Sequence, residues 1–557
     1  MAGNIRAWLV GLALALAAER CLAVRDAAWI SSLGRTPESA QASADAGNGN
    51  FGTERSFPRG LKPTFAGYVN VSHDGSSIYY AYYESSSRCG EDVGEAPIVL
   101  WLQGGPGCAS TFGGHYELGP WSVESDLGVT RNPGAWNRIF ALLLVDQPVG
   151  SGYSVAANGS ASIPTDELGM AGHLYAALQG FFARHRELQE RPLIITGESY
   201  AGKYVPSIAH YILQVTDQQP DARAAQEGGA AQGPDAPEQE PGAAAAALVL
   251  AALERASATP KPAATQAAST ATSTAASTAQ PPALRALRAL PRGLPKPLFR
   301  LSGLAVGNGL TDPRAQTQTL AAAAFYAGLL PPALRDEVAG RAAVVVNLID
   351  EGQWVAAHTE REALRAFITN ATGIATMFDT RRTEEYDPTK AVDRFLNLPE
   401  VKEMMRARPD VVYASCSDAV RKAMSGDVMR SVKALFPDIL RRLPVLLYQG
   451  QYDILDGVAS VTSWVSALAW DEAAEFNQQK GALWYLGGDD DATVRAARLC
   501  KRPQPRAPDQ GHVPAGWRRS HGRLTHAVVY RAGHMVPHDQ PLAAQQLLED
   551  WVLTALD

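Results

Sequence analysis

The feature that most limits how this chain can fold is a change of periodicity around Ser199. Leu193 to Thr196 is an apolar β-run that stops at Gly197; Glu198 and Ser199 follow, and Tyr204 to Leu213 reads as helix. Strand, tight glycine turn, serine and helix in that order make a nucleophile-elbow pattern. It lifts a hydroxyl above the C-terminal edge of a sheet and leaves the next N–H free. Gly197, Ala201 and Gly202 are small enough for strand and helix to approach closely. Taken alone, the pattern fits equally a serine capping a buried helix, so the surrounding sequence has to decide.

Around the elbow the chain has an α/β rhythm. Gly67–Val71 and Ser77–Tyr83, separated by His73-Asp74-Gly75, read as a hairpin. Ile98–Leu102, Phe140–Val145 and Leu193–Thr196 read as buried parallel strands, with a helix over Asp166–Phe182 between the last two. The β pattern resumes at Leu301–Gly307. Residues 311 to about 415 are then mostly helical, as in Leu320–Leu330 and Glu360–Ile368. Val445–Tyr448 and His526–Tyr530 are later strands, and Pro541–Leu553 is a closing helix. Strands that resume after a helical block imply an α/β-hydrolase fold: a mixed, mostly parallel central sheet flanked by helices, with an inserted helical cap.

Hydrophobic residues make up 46% of the 557, enough to bury a large core, and the net charge of −7 argues against a nucleic-acid partner. Arg6, the apolar run Ala7–Ala18 and the small residues before Ala23 read as a secretory signal peptide over 1–23. No other run is long enough to span a membrane, so no membrane anchor is expected. The expected organisation continues with a low-complexity extension (24–60), a first hydrolase half (61–216) and an Ala/Pro/Ser/Thr-rich insertion (217–297). A hydrolase strand (298–310), the cap (311–420) and a second hydrolase half (421–557) complete it. The insertion has too little apolar area to offset its ordering entropy and reads as disordered, with a short helix around Ala244–Glu254.

With Cys21 removed in the signal, Cys89, Cys108, Cys416 and Cys500 remain, with three pairings open in an oxidising compartment. None has zinc-site spacing, so no metal and no other cofactor is expected. Asn70, Asn158 and Asn370 head Asn-x-Ser/Thr sequons, candidate glycosylation sites on a secretory route.

A serine hydroxyl needs an adjacent base, usually an imidazole oriented by a carboxylate. Ser199, Asp453 and His534 follow in the order Ser, Asp, His, each just past the C-terminal end of a strand, where α/β sheets place their sites. Asp456 on the same loop is the rival acid. Most of the other histidines, such as His115 and His210, lie in helical or loop contexts and read as surface residues.

Four motifs carry a likeness: Trp101-Leu102-Gln103-Gly104-Gly105-Pro106-Gly107-Cys108, Asp146-Gln147-Pro148-Val149-Gly150-Ser151-Gly152-Tyr153-Ser154, the Ser199 elbow, and Gly533-His534-Met535-Val536-Pro537. Together they resemble the serine carboxypeptidase family. Leu447-Tyr448-Gln449-Gly450-Gln451-Tyr452-Asp453-Ile454 and Phe395-Leu396-Asn397-Leu398-Pro399-Glu400-Val401 are most similar to its vitellogenic-like members. The resemblance implies a catalytic Ser199, Asp453 and His534, an oxyanion hole from the N–H groups of Gly105 and Tyr200, and capture of the substrate carboxylate by Gln103, Gly104, Glu117 and Glu198. It also implies a Cys108–Cys416 disulfide, leaving Cys89 and Cys500. Two clustered acids facing a carboxylate cannot all be ionised, so a raised glutamate pKa and an acidic optimum are expected. The chain departs from the family in Gln103, where most members have Asn, and in Asp456, where many carry a cysteine.

The resulting expectation is a serine-type carboxypeptidase that removes C-terminal residues from peptides and proteins at acidic pH through an acyl-enzyme. It would be secreted or held in a lysosome-like or vacuolar lumen, with a homodimer left open. Acyl transfer from activated esters and a non-catalytic binding role are the competing readings; Glu117 with Glu198 opposes the first, and the complete Ser-Asp-His set opposes the second.

Overall fold

The structure is a computed structural model and describes residues 57–86, 96–218, 294–387, 389–486 and 514–556. The signal, most of the N-terminal extension, the helix expected at 244–254, Cys21, Cys89 and Cys500 lie outside the described residues. Those from Pro58 onward belong to one unit.

Strands β1 (Phe65–Asn70) and β2 (Ser77–Tyr83) form the expected hairpin, pairing Phe65 with Tyr82 and Asn70 with Ser77. Strand β3 (Ile98–Leu102) leads through helix α1 (Ser110–Tyr116) and a small hairpin of β4 (Trp121–Val123) and β5 (Val129–Arg131) to β6 (Ala141–Asp146). Helix α2 (Glu167–Arg184), β7 (Pro192–Glu198), helix α3 (Ala201–Asp217) and β8 (Arg300–Gly307) follow. Three long helices form the cap: α4 (Pro313–Tyr326), α5 (Pro332–Asp350) and α6 (Trp354–Thr372). The chain then returns through β9 (Val445–Gly450), β10 (Ala482–Tyr485), β11 (Pro514–His521) and β12 (Leu524–Val529) to helix α7 (Pro541–Leu556).

The sheet has ten strands in the order β1-β2-β6-β3-β7-β8-β9-β12-β11-β10. From β6 to β12 every pairing is parallel, and the strands added at both edges are antiparallel. Every residue of β3, β6 and β9 is buried, as expected where helices cover both faces of a parallel sheet. Residues 193–212 pass from strand to helix yet stay almost wholly buried, which sets the elbow in the middle of the core.

Local chemistry sets the helix boundaries. The Asp166 carboxylate caps α2 by accepting from Gly169 N at 2.9 Å. Pro206 lies inside α3 and has no N–H for the Gly202 carbonyl. The Thr311 hydroxyl, which donates to that carbonyl at 3.0 Å, takes its place.

Three sequence expectations change. The helix read over Leu320–Leu330 stops at Tyr326, because Gly328 turns the chain at φ 74° and Pro331 follows. The sequence reading ends the insertion at 297, but the packed body has resumed by Leu294, which is buried. Tyr175 Oη donates to the Pro295 carbonyl at 2.6 Å and Gln179 Nε2 to that of Lys296 at 2.8 Å. Strands β10 and β11 were not anticipated. The run Arg518-Arg519-Ser520-His521 has no apolar alternation, and pairing with β12 is what makes it a strand.

Candidate active site

Ser199 sits at the turn between β7 and α3 with φ 61°, in the left-handed region. For a non-glycine residue that conformation costs about 1–2 kcal/mol. Three backbone hydrogen bonds hold it: Ser199 N donates to Gly307 O at 3.1 Å, and Gly202 N and Leu310 N each donate to Ser199 O at 2.9 Å. At about 1 kcal/mol net apiece, they are enough to offset the strain. The packing leaves no room for larger residues around the turn. A Cβ on Gly202 would come within 2.6 Å of Leu310 N, and one on Gly104 within 2.5 Å of Tyr200 N. Among the described residues, the N–H groups of Tyr200 and Gly105 have no hydrogen-bond acceptor.

Asp453 and His534 meet across two parallel strand ends. His534 Nδ1 lies 2.6 Å from Asp453 Oδ2. The same oxygen accepts from Asn308 Nδ2 at 2.7 Å, while Oδ1 accepts from Leu455 N at 2.7 Å and Asp456 N at 3.1 Å. The His534 backbone is anchored to the Phe378 carbonyl at 2.7 Å, and the Phe378 ring packs on the imidazole at 4.2 Å between centroids. Burial pushes the His534 pKa down, but the Asp453 carboxylate outweighs it and the net shift is upward. Nε2 is buried with no partner, and it faces the same cavity as Ser199. An imidazole held at one nitrogen and free at the other can act as a general base. Asp456, the rival acid, does not touch the imidazole. It turns instead to Gln316 and Arg361, at 3.0 and 3.5 Å.

On the other side of Ser199, Gln103 holds two acids. Its Nε2 donates to Glu198 Oε1 at 2.8 Å and Glu117 Oε1 at 3.1 Å, and its Oε1 accepts from Trp101 Nε1 at 2.8 Å. That indole bond fixes which end of the amide faces the acids. Glu117 and Glu198 are within hydrogen-bond reach of each other, and each has an Oε2 that is buried without a partner. Burial raises the Glu117 pKa to about 8. Burial, then repulsion from Glu117, raises that of Glu198 well above the carboxylate range.

Gln103, Gly105, Glu198, Ser199, Tyr200 and His534 line one cavity of about 710 Å³, roofed by the cap, whereas Glu117 does not reach its wall. Cys108 and Cys416, 308 residues apart, are joined by a disulfide at its rim. Asn70, Asn158 and Asn370 are all exposed, although Asn158 Nδ2 also reaches Asp74 Oδ2 at 3.3 Å. The surface reading fails for His115 and His210, which are buried, and His526, in the expected last strand, is buried as well. Each ring is tied to a neighbour: His115 to the Thr111 carbonyl, His210 to Gln214, and His526 to Gln449. Desolvation lowers the pKa of His526 to about 3, as suits a neutral core imidazole. Sequence reasoning missed Asn308 and Arg361. A Gly-Asn-Gly after a strand reads as a turn, and an arginine on a cap helix reads as solvated. Among the described residues, no helix is long and apolar enough to cross a membrane.

A mostly parallel sheet with a serine elbow after a central strand and an acid–imidazole pair at later strand ends defines an α/β-hydrolase. Kex1Δp, a prohormone-processing carboxypeptidase from Saccharomyces cerevisiae, shares the fold with a TM-score of 0.63 at 20% identity, covering 88% of this chain and 91% of that one. The chain belongs to the serine carboxypeptidase family, whose pattern matches residues 58–228 and 291–554. It is 34% identical to serine carboxypeptidase-like 50 of Arabidopsis thaliana over 499 residues, covering 89% of each chain. It is also 26% identical to the probable serine carboxypeptidase CPVL of Dictyostelium discoideum over 495 residues, covering 88% of this chain and 78% of that one. The protein is thus a serine-type carboxypeptidase, a hydrolase of peptide bonds.

Proposed function

We propose that this enzyme removes C-terminal residues from peptides and proteins through an acyl-enzyme on Ser199. The hydroxyl attacks the scissile carbonyl while His534 Nε2 takes its proton and passes it to the leaving amine; Asp453 keeps the imidazole oriented and stabilises its charged form. The N–H groups of Gly105 and Tyr200 receive the oxyanion. Water then repeats the sequence to release the shortened peptide.

The observation that carries the reading is the Gln103–Glu117–Glu198 cluster beside Ser199. A protonated carboxyl in this pair donates to the substrate's terminal carboxylate, while the Gln103 amide keeps the pair in place. The buried Oε2 atoms of both acids are those that the protein itself leaves unmatched. As pH rises through about 8, the Glu117 proton is lost and negative charges face one another, so peptide binding weakens. As pH falls, His534 becomes protonated and the base is lost, and the upward shift of its pKa brings this limb in earlier. The two limbs together bound the working range, with His534 protonation closing it at low pH and loss of the Glu117 proton closing it near pH 8. The signal-like N-terminus, the exposed sequons and the disulfide support a secretory route, ending in secretion or in a lysosome-like or vacuolar lumen.

The test is release of the terminal amino acid from N-blocked dipeptides. Wild type should release it, and Ser199→Ala should lower kcat on the order of 10⁶-fold. Wild type that releases nothing between about pH 4 and 8 would overturn the peptidase reading. Acyl transfer from a glucose ester without peptide hydrolysis would replace it with a transferase.

A further inference from the structure

Helix α6 sends Arg361 into the roof of the cavity, where the residue is only 4% exposed yet still lines the open space. Its ion pairs are long, 3.5 Å to Asp456 Oδ1 and 3.9 Å to Glu362 Oε1. A guanidinium presents five N–H donors in a rigid fork, and when buried it calls for a close, bidentate acceptor. Neither acid supplies one. Asp456 Oδ1 also accepts from Gln316 Nε2 at 3.0 Å, and both oxygens of Glu362 accept from Arg365 at 3.0 Å. The fork is therefore held in position and incompletely matched, and it belongs to a residue that lines the cavity.

Strand order decides which part of a substrate arrives there. Gln103 follows β3, Ser199 follows β7, Asn308 follows β8, and Asp456 follows β9, and these strands are neighbours in that order. A peptide whose terminal carboxylate lies at Gln103 and whose scissile carbonyl lies at Ser199 must place its penultimate residue over β8 and β9. Arg361, paired with Asp456 past β9, lines that cavity, and Leu310, Val428 and Leu455, which line it too, can cover an aliphatic stem.

We infer that Arg361 is a specificity residue that selects an acidic side chain, Asp or Glu, at the penultimate position of the substrate. The inference rests on the substrate orientation proposed above. An incoming carboxylate supplies the bidentate acceptor that Asp456 and Glu362 do not. A lysine or arginine at this position brings a second cation against Arg361 and Arg365. Burial also raises the Asp456 pKa, which reduces its competition for the guanidinium in acid.

The experiment compares N-blocked Glu-Phe, Leu-Phe and Lys-Phe with the full-length protein near pH 6, where about all of the glutamate is ionised. Wild-type kcat/KM should follow the order Glu, Leu, Lys. In Arg361→Met the Glu:Leu ratio should fall about tenfold or more, because the site then offers no matching donors. Arg361→Lys should restore part of the ratio, and Arg361→Glu should move the preference toward Lys-Phe. Using a ratio cancels any general loss of active protein. Should a variant fail to fold, the wild-type order alone decides. A wild-type Glu:Leu ratio at or below one, or a ratio unchanged in Arg361→Met, overturns the inference. Wild type that cleaves none of the three dipeptides strikes the carboxypeptidase reading instead.

Discussion

Two buried acid sites flank the elbow, and they handle carboxyl groups in opposite ways. Asp453 is a single carboxylate with four donors around it: Asn308 Nδ2, the N–H groups of Leu455 and Asp456, and the His534 ring. Glu117 and Glu198 are two carboxyls sharing one amide, and each retains an oxygen with no partner. Both sites are deeply buried. Burial alone therefore does not decide what a carboxyl does. The number of donors per oxygen decides it, by making one group a fixed acceptor and the other pair a reservoir for a proton.

The largest effect should come from breaking the donor-rich site. Asp453→Asn removes the acceptor at His534 Nδ1 and presents an N–H in its place, so kcat/KM should fall on the order of 10⁴-fold with the fold intact. A loss of less than about tenfold would mean that another group, Asp456 foremost, orients the imidazole.

An intermediate effect is expected at the donor-poor site. Glu198→Gln should raise KM for peptides about 10- to 100-fold through loss of a charge-assisted hydrogen bond, while an ester substrate lacking a free carboxylate changes much less. In wild type, peptide KM should rise as pH passes about 8 and ester KM should not. Parallel pH profiles for the two substrates would remove the pair from carboxylate recognition.

The smallest effect concerns stability. The folded-state pKa of Glu117, about 8, lies above its unfolded value, so the folded protein holds the extra proton. Its contribution is complete below the unfolded carboxyl pKa of roughly 4.3 and is lost progressively as pH rises toward the folded value. Melting temperature should accordingly decline across that window. Glu117→Gln should flatten the decline by about a degree or two. An unchanged slope in the variant would assign the decline to other groups.

Much of this comparison can be traced to short stretches of sequence. The apolar runs of β3, β6 and β7 predict buried parallel strands, and Ser199, Asp453 and His534 follow strand ends in the expected order. Such signals are local, because burial on both faces leaves no room for polar residues over several positions. Strands β10 and β11 were not legible, since their pattern arises from pairing at the sheet edge. Asn308 was not legible either. Its importance comes from an Nδ2 that reaches a carboxylate 145 residues away, across two strand ends. Arg361 occupies one position on an amphipathic helix, and only the docking of the cap turns that position toward the cavity.

By itself, the sequence of this protein determined the elements, their order along the chain and the residue types that end at each strand. Those follow from periodicity and turn chemistry over a few residues. Tertiary structure alone decided the charge state and pairing of the groups. Glu117 and Glu198 are ordinary acids in the chain until folding removes their water and sets them on either side of one amide. Desolvation and donor supply are properties of the assembled site, and they come from contacts between residues that the chain itself keeps far apart.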